Sequence, residues 1–223
     1  MTITVTTAAS NKAMLELATV KTRLGITGSA FDALLDLLIV DVSQSVARFL
    51  GYPPWRQAYT ENLSGNGRKT LRLGRQPLEE PLTSVKYDDV LITDTTTYRI
   101  QDADAALIYH VTGGWTWSPS YDGDLVLDPS THADRELWEI VYWAGWVMPA
   151  DTPGGNQIAL PADVALGAFF ALRSWFDEEE VGGGIKSEKY GNVSVAYREL
   201  VAERPVGKLP SQAEDLLRGY VAI

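Results

Sequence analysis

The hydrophobic period changes twice along this 223-residue chain, and that change limits its fold more than any other feature. Apolar residues recur every three or four positions up to about residue 51 and again from about residue 160, which is the period of an amphipathic helix. Between about residues 57 and 145 they recur at every second position, which is the period of a half-buried strand. The sequence therefore predicts an α+β protein, with a helical base (1–55 and 160–223) and an inserted antiparallel β domain (56–159).

Two helices are expected before the β domain. The first runs from about Ser10 to Leu24 and stops at Gly25, because Ser is a good N-cap and Gly readily adopts the left-handed conformation that ends a helix. The second follows a start similar to a capping box, in which Ser29 precedes Asp32 by three positions. This arrangement predicts a helix pair at the N-terminal end.

The second helix carries more apolar surface than one core contact requires. Apolar residues recur along its main stripe at steps of three and four. The helix is expected to end at Gly51, because Pro53 and Pro54 follow shortly after it. Leu37 and Val40 lie off that stripe. They are candidates for contacts between subunits, and purely internal packing is the alternative.

The middle of the chain reads as short strands separated by turns. Tyr59, Glu61 and Leu63 alternate with polar neighbours, and the turn SGNGR then leads into a second alternating run, KTLRL. Further short runs of this kind favour a sandwich or small barrel over βαβ units. Their order in a sheet cannot be read from the sequence.

The C-terminal third predicts a helix that begins at Pro161 and a mobile acidic loop over residues 178–186. Acidic residues are unfavourable at a helix C-terminus, and consecutive glycines order poorly. After a short strand near residues 193–197, a last helix carries Leu216, Leu217 and Tyr220 on one face. The residues that define the acidic loop are Glu178, Glu179, Glu180, Gly182, Gly183 and Gly184.

Composition excludes several classes of function. The chain has 19 basic and 29 acidic residues and a net charge of −10, so its surface repels phosphate and is poorly suited to gripping nucleic acid. The absence of cysteine excludes disulfides, thiolate zinc sites and a cysteine nucleophile. No apolar run approaches the roughly 18–20 residues that span a bilayer, so no membrane contact is expected.

We find no pattern of catalytic or metal-ligating residues in the sequence. Nothing near the two histidines, His110 and His132, would orient either one as a triad or a metal site does. Asp122, Asp124 and Asp128 resemble a hard-cation site, but their spacing departs from the calcium-loop pattern. We therefore predict no enzyme activity, no metal and no cofactor. A hydrolase that uses Asp122 and Asp124 is the weakest alternative.

Aromatic residues provide the main rival hypothesis. Trp115, Trp117 and Tyr121 lie close together in the β region, where exposed rings could stack on sugars. This pattern is compatible with a carbohydrate-binding β module, although such a module would not explain the helical segments. Three further tryptophans are expected in the core: Trp138, Trp143 and Trp146.

A series of short motifs extends over nearly the whole chain. In order they are ARFLGYPP at the end of the second helix, YWAG (142–145), LPADV (160–164), GNVSVAY (191–197) and LLRGY (216–220). Together they resemble the head–tail connector proteins of tailed bacteriophages, which are also called adaptors or head-completion proteins. The long β region is similar to an inserted β domain found in some of these proteins.

This resemblance implies a structural role and no reaction or cofactor. In such proteins a closed ring of about twelve copies lies beneath the portal vertex, extends the DNA channel and presents its lower face to the next connector, stopper or tail protein. Double-stranded DNA would pass through without specific binding. The protein would be located at the head–tail interface of the virion, and in the host cytoplasm during assembly. Leu216, Leu217 and Tyr220 are the candidate portal-docking residues, and packing on their own core is the alternative.

Overall fold

The computed structural model describes residues 1–115, 137–180, 187–190, 193–196 and 209–221. These residues form helices and antiparallel sheets, which confirms the predicted α+β class. The chain divides into two compact units, described here as the β unit and the helical unit. The β unit contains Met1–Asn11, Pro54–Val147 and Asp151–Ala159. The helical unit contains Lys12–Pro53, Met148–Ala150 and Leu160–Ile223.

The β unit is built from a five-stranded and a three-stranded sheet. In chain order its strands are β1 (Thr2–Thr7), β2 (Gln57–Leu63), β3 (Thr70–Arg72), β4 (Ser84–Tyr87), β5 (Val90–Leu91), β6 (Tyr98–Asp102), β7 (Leu107–His110) and β8 (Trp138–Ala144). The larger sheet has the order β1-β2-β8-β4-β5 and the smaller one β3-β7-β6. All strand pairs within them are antiparallel, as the alternating pattern predicts.

The two sheets of the β unit share one core. Residues at every second position of β2 face inward, and in the β2–β8 register Tyr59 lies opposite Tyr142 and Leu63 opposite Trp138. Inward residues of the smaller sheet, such as Leu71 and Ile108, belong to the same buried cluster. This arrangement is the one that the period of two favours for a sandwich-like domain.

Gly145 is required where β8 ends. Its φ of +101° lies in the left-handed region, and a Cβ atom there would lie 2.4 Å from the carbonyl oxygen of Trp55. The close approach lets the Arg56 N–H donate to the Trp146 carbonyl at 2.8 Å. No other residue type fits this position without moving the backbone.

The N-terminal segment corrects the prediction. Residues 2–7 form an edge strand of the larger sheet rather than part of the helical base, and the first helix begins at Leu17 instead of Ser10. The edge strand pairs with β2, so that Ile3 lies opposite Glu61. A sequence of alternating Thr, Ile and Val is compatible with a strand, but its partner lies 50 residues further along the chain.

The helical unit contains α1 (Leu17–Leu24), α2 (Asp32–Leu50), α3 (Ala162–Glu180), α4 (Ser211–Leu217) and a 3₁₀ turn (Arg218–Tyr220). It also contains two strands, β9 (Ser187–Tyr190) and β10 (Val193–Ala196), which pair antiparallel. Gly25 and Gly51 end α1 and α2 in the left-handed conformation, as predicted. No helix of the described residues is long and apolar enough to cross a bilayer.

The start of α2 differs from the predicted capping box. Phe31 occupies the N-cap position, and no side chain caps the helix there. The Asp32 carboxylate instead accepts a hydrogen bond from Lys21 Nζ on α1 at 2.5 Å. An ion pair between two helices therefore uses the carboxylate that the sequence assigned to the cap.

Candidate assembly surfaces

Helix α2 has two apolar faces on opposite sides. One face packs inside the helical unit, where Leu35, Val42 and Val46 are fully buried. The other face is exposed, with 66% of Leu37 and 55% of Val40 accessible. At 100° per residue these two side chains project about 180° from the buried stripe. Leu37 and Val40, the two predicted subunit-contact residues, thus lie on the same exposed face of α2.

Further residues extend this surface along the helix. Ala33, Gln44 and Ala47 follow the same direction at intervals of three and four positions. The carboxylates of Asp36 and Asp41 lie on its two flanks and are exposed, and Arg48 lies near its C-terminal end. We call this surface the α2 outer face. Its centre is apolar and its flanks are acidic over the first two-thirds of the helix.

The C-terminal helix divides the three predicted docking residues. Leu217 is fully buried and packs against α3, where a Cβ atom on Gly167 would lie 3.1 Å from Leu217 Cγ. Leu216 and Tyr220 remain half-buried, and the Tyr220 carbonyl accepts a hydrogen bond from Tyr52 Oη at 3.1 Å. Leu217 is therefore a core residue, which corrects its prediction as a portal-docking residue. Of the three predicted residues, only Leu216 and Tyr220 are accessible to a partner.

The acidic loop also needs a correction at its first residues. Helix α3 continues through Glu180, so Glu178, Glu179 and Glu180 are helical. Glutamate has a good helix propensity, and the unfavourable interaction with the helix dipole costs only about 0.3–1 kcal/mol. The remaining residues of the predicted loop lie outside the described residues: Gly182, Gly183 and Gly184.

A buried carboxylate lies inside the β unit. Glu61 is fully buried on β2, where its Oε2 accepts a hydrogen bond from Tyr142 Oη at 2.5 Å. The Gly74 N–H donates to both carboxylate oxygens at 2.9 and 3.1 Å. Burial raises the pKa of Glu61 above its ordinary value, and the hydrogen bonds from Tyr142 and Gly74 oppose that rise. The alternation of Tyr59, Glu61 and Leu63 in the sequence carried the signal for this buried position.

The exposed side of the smaller sheet gathers cations around an aromatic ring. Tyr109 on β7 lies between Thr70 on β3 and Arg99 on β6. The Arg99 guanidinium lies 5.2 Å from the centre of the Tyr109 ring, and Lys69 Nζ lies 5.8 Å from it. Arg72 is exposed on the same side of β3, opposite Leu107. We call this surface the β7 cationic face.

Sequence reasoning missed the β7 cationic face. Its members are separated by up to 40 positions, and only the order β3-β7-β6 brings them together. The available signal was the alternation within each run, which places Arg72 and Tyr109 on the side opposite their buried neighbours. Without the strand order that signal could not be combined.

The aromatic cluster does not form an exposed sugar-binding surface at Trp115. This side chain is fully buried, its Nε1–H donates to the Lys69 carbonyl at 3.0 Å, and its ring meets Trp138 edge-on at 4.8 Å. Trp138 and Trp146 are buried, as expected of core residues. The half-buried Trp143 carries the Arg56 guanidinium 3.9 Å from its ring centre. The other two residues of the proposed carbohydrate site lie outside the described residues: Trp117 and Tyr121.

His110 lies at the edge of a shallow apolar depression of about 370 Å³, with Tyr87, Ile92 and Trp138 among its other walls. Its Nδ1 accepts a hydrogen bond from the Gly113 N–H at 3.0 Å, and burial lowers the pKa of His110. Both effects favour the neutral ring. Among the described residues, no group of three or more His, Asp or Glu side chains is arranged to hold a metal. The other candidates for a metal or a base lie outside the described residues: Asp122, Asp124, Asp128 and His132.

The whole chain is similar in fold to chains of three solved structures. The neck of an empty gene transfer agent particle, computed with C6 symmetry, contains a chain that aligns with a TM-score of 0.58 at 16% identity, covering 100% of this chain and 96% of that one. The chain has the fold of a particle-neck component. The neck of the native particle, computed with C12 symmetry, gives a TM-score of 0.55 at 14% identity over the same shares of both chains. The virion of the native particle gives 0.54 at 16% identity, again with 100% and 96% covered.

No protein-family model matches the sequence, and the curated proteins contain no match. The likeness is therefore one of fold, and it extends over the helical unit and the β unit alike. It supports the resemblance to head–tail connectors that the motifs of the sequence indicated.

Proposed function

We propose that this chain is a structural protein of a phage-like virion neck, in which copies form a closed ring that joins the portal vertex of the head to the tail and extends the DNA channel. The observation that carries the proposal is the match of the full chain to components of necks with C6 and C12 symmetry. Because the match covers both units, the role would belong to the whole chain and not to one domain.

The α2 outer face supports self-assembly into a ring. Exposure of Leu37 and Val40 to water does not stabilise a single copy, whereas an interface with a neighbouring copy would bury both side chains. A closed ring uses a different patch on each side of the subunit, so this face would meet a second, complementary surface. About twelve copies would fit the symmetry of the neck structures.

The charge of the chain supports passage of DNA rather than its capture. With −10 on each copy, a ring would carry a large net negative charge. Phosphates would be repelled, and DNA would slide without specific contacts. The half-buried Leu216 and Tyr220 at the C-terminal end remain the proposed contacts to the portal, and the lower face of the ring would meet the next connector, stopper or tail protein.

Removal of the gene from the cells that produce the particles tests this role. We expect DNA-filled heads that lose their DNA and fail to join tails, visible by electron microscopy of negatively stained lysates. Expression of the wild-type chain in trans restores complete particles. Complete, infectious particles in the absence of the chain would contradict the proposal.

A substitution pair then tests the portal contact without disturbing the fold. Tyr220→Ala and Leu216→Ser change half-buried side chains, and we expect normal folding but few tailed particles. Asp215→Ser, an exposed position on the same helix, is the matched control and should leave assembly unchanged.

A further inference from the structure

The β7 cationic face is unusual in a chain of this charge. Lys69 and Arg99 form no ion pair with any carboxylate of the described residues, and both cations lie on the ring of Tyr109. The Asp102 carboxylate lies on the neighbouring strand β6, opposite Leu107, and its Oδ1 accepts a hydrogen bond from the Ala105 N–H within a turn. The face is therefore a local concentration of positive charge around a half-buried aromatic ring.

We propose that the β7 cationic face binds the α2 outer face of a neighbouring copy, and that this is the heterologous contact that closes the ring. The inference rests on the proposed ring and adds which two surfaces form its interface. The partner is a second copy of this chain.

The charges of the two faces are complementary. The α2 outer face has Asp36 and Asp41 on its flanks, whereas the β7 cationic face has Arg72 and Arg99 on either side of β7. Each copy carries −10, so neighbours repel each other unless opposite charges meet where they touch. The cationic face offers that local attraction.

The dimensions of the two faces also match. Arg72 and Arg99 lie on strands separated by β7 and are offset by two residues along it, which places their backbones about 12 Å apart. A helix with its side chains is about 10–12 Å wide, so α2 would fit along β7 with one carboxylate toward each arginine strand. Leu37 and Val40 would then cover Leu107 and the free part of the Tyr109 ring.

The contact has the symmetry that a ring requires. The two faces differ in structure and belong to different units of the chain, so a contact between them is heterologous. Repetition of such a contact generates a closed ring when the rotation from one copy to the next divides a full turn evenly. An isologous pairing of α2 with α2 would oppose like charges and would stop at a dimer.

Engineered cysteines test the contact directly, because the natural chain has none. Val40→Cys marks the α2 outer face and Thr70→Cys marks the β7 cationic face, where Thr70 lies opposite Tyr109. After treatment with a short bismaleimide cross-linker, a mixture of the two single variants should give covalent dimers. The double variant should give a ladder of multimers that ends at the ring size. Val90→Cys, an exposed apolar position elsewhere in the β unit, replaces Thr70→Cys in the matched control and should give no ladder.

Charge reversal provides a second, independent readout. Arg99→Glu or Asp41→Lys alone should weaken association in sedimentation experiments by roughly 3- to 20-fold, since an attraction becomes a repulsion. The two variants mixed together, or combined in one chain, should regain most of the lost affinity. Both effects should shrink in high salt.

The outcomes separate this inference from the proposed function. Rings of the wild-type chain without a Val40–Thr70 ladder, or with Val40–Val40 dimers instead, overturn the inference and leave the ring in place. A wild-type chain that stays a single copy, alone and with portal, overturns the ring itself.

Discussion

Removal of the two exposed apolar side chains of α2 should separate assembly from folding. In the double variant Leu37→Gln/Val40→Gln, both new side chains are polar and Gln retains a good helix propensity. Because 66% of Leu37 and 55% of Val40 are already accessible, the core loses little contact. We expect the free energy of unfolding of the single copy to change by less than about 0.5 kcal/mol.

The cost should appear in association. Full burial of a Leu or Val side chain contributes about 1.5–3 kcal/mol, so covering the exposed fractions of both would contribute about 2–3 kcal/mol for each contact. Since 1.4 kcal/mol corresponds to a tenfold change in affinity, the double variant should associate roughly 30- to 150-fold more weakly. Sedimentation equilibrium measures this change, and thermal denaturation followed by circular dichroism measures the stability.

A matched control uses the same chemistry elsewhere. Val90→Gln/Leu91→Gln alters two apolar residues of the β unit that are 68% and 51% exposed. This control should associate like the wild type. Equal association of all three proteins would refute the reasoning, as would loss of folding in the α2 variant, because it would mean that Leu37 and Val40 serve the core.

Three further outcomes follow from the interior of the two units. Glu61→Gln removes a buried carboxyl whose pKa is raised in the folded state. The wild type should therefore lose stability relative to this variant as pH rises from about 4.5 through the folded pKa. The same stability difference between the two proteins at about pH 4 and pH 7, measured by urea denaturation, would contradict this. Leu217→Ala should cost about 2–5 kcal/mol in the same assay, and Leu216→Ala less than about 1 kcal/mol, whereas equal costs would contradict the burial difference. Gly145→Ala should cost about 1–3 kcal/mol, because its Cβ would meet the backbone of Trp55 and Arg56. An unchanged melting temperature would contradict that close approach.

Much of the helical unit could be predicted from the sequence, because its signals are local. The apolar stripe of α2 determines which face of that helix is buried, and Gly25 and Gly51 determine where α1 and α2 end. In each case the signal lies within one or two helical turns of the feature. Leu37 and Val40 stood out for the same reason, since a residue off the buried stripe of a helix must face elsewhere. The cap of α2 could not be predicted, because Lys21 of another helix competes for the Asp32 carboxylate.

The β unit was predictable in its strands but not in its pairing. Strand β1 pairs with a strand 50 residues away, and β8 lies between β2 and β4 in the sheet. Such long-range pairing depends on the packing of the whole core, which local patterns do not encode. The β7 cationic face depends entirely on that pairing, so its residues could be recognised only together in the fold.

Single-particle electron microscopy of the purified chain, alone and mixed with portal rings from the same particles, tests the central claim most directly. The account predicts closed rings of one rotational order, with portal rings capped on one side by a second ring. Isolated single copies under both conditions, with portal rings left bare, would contradict it.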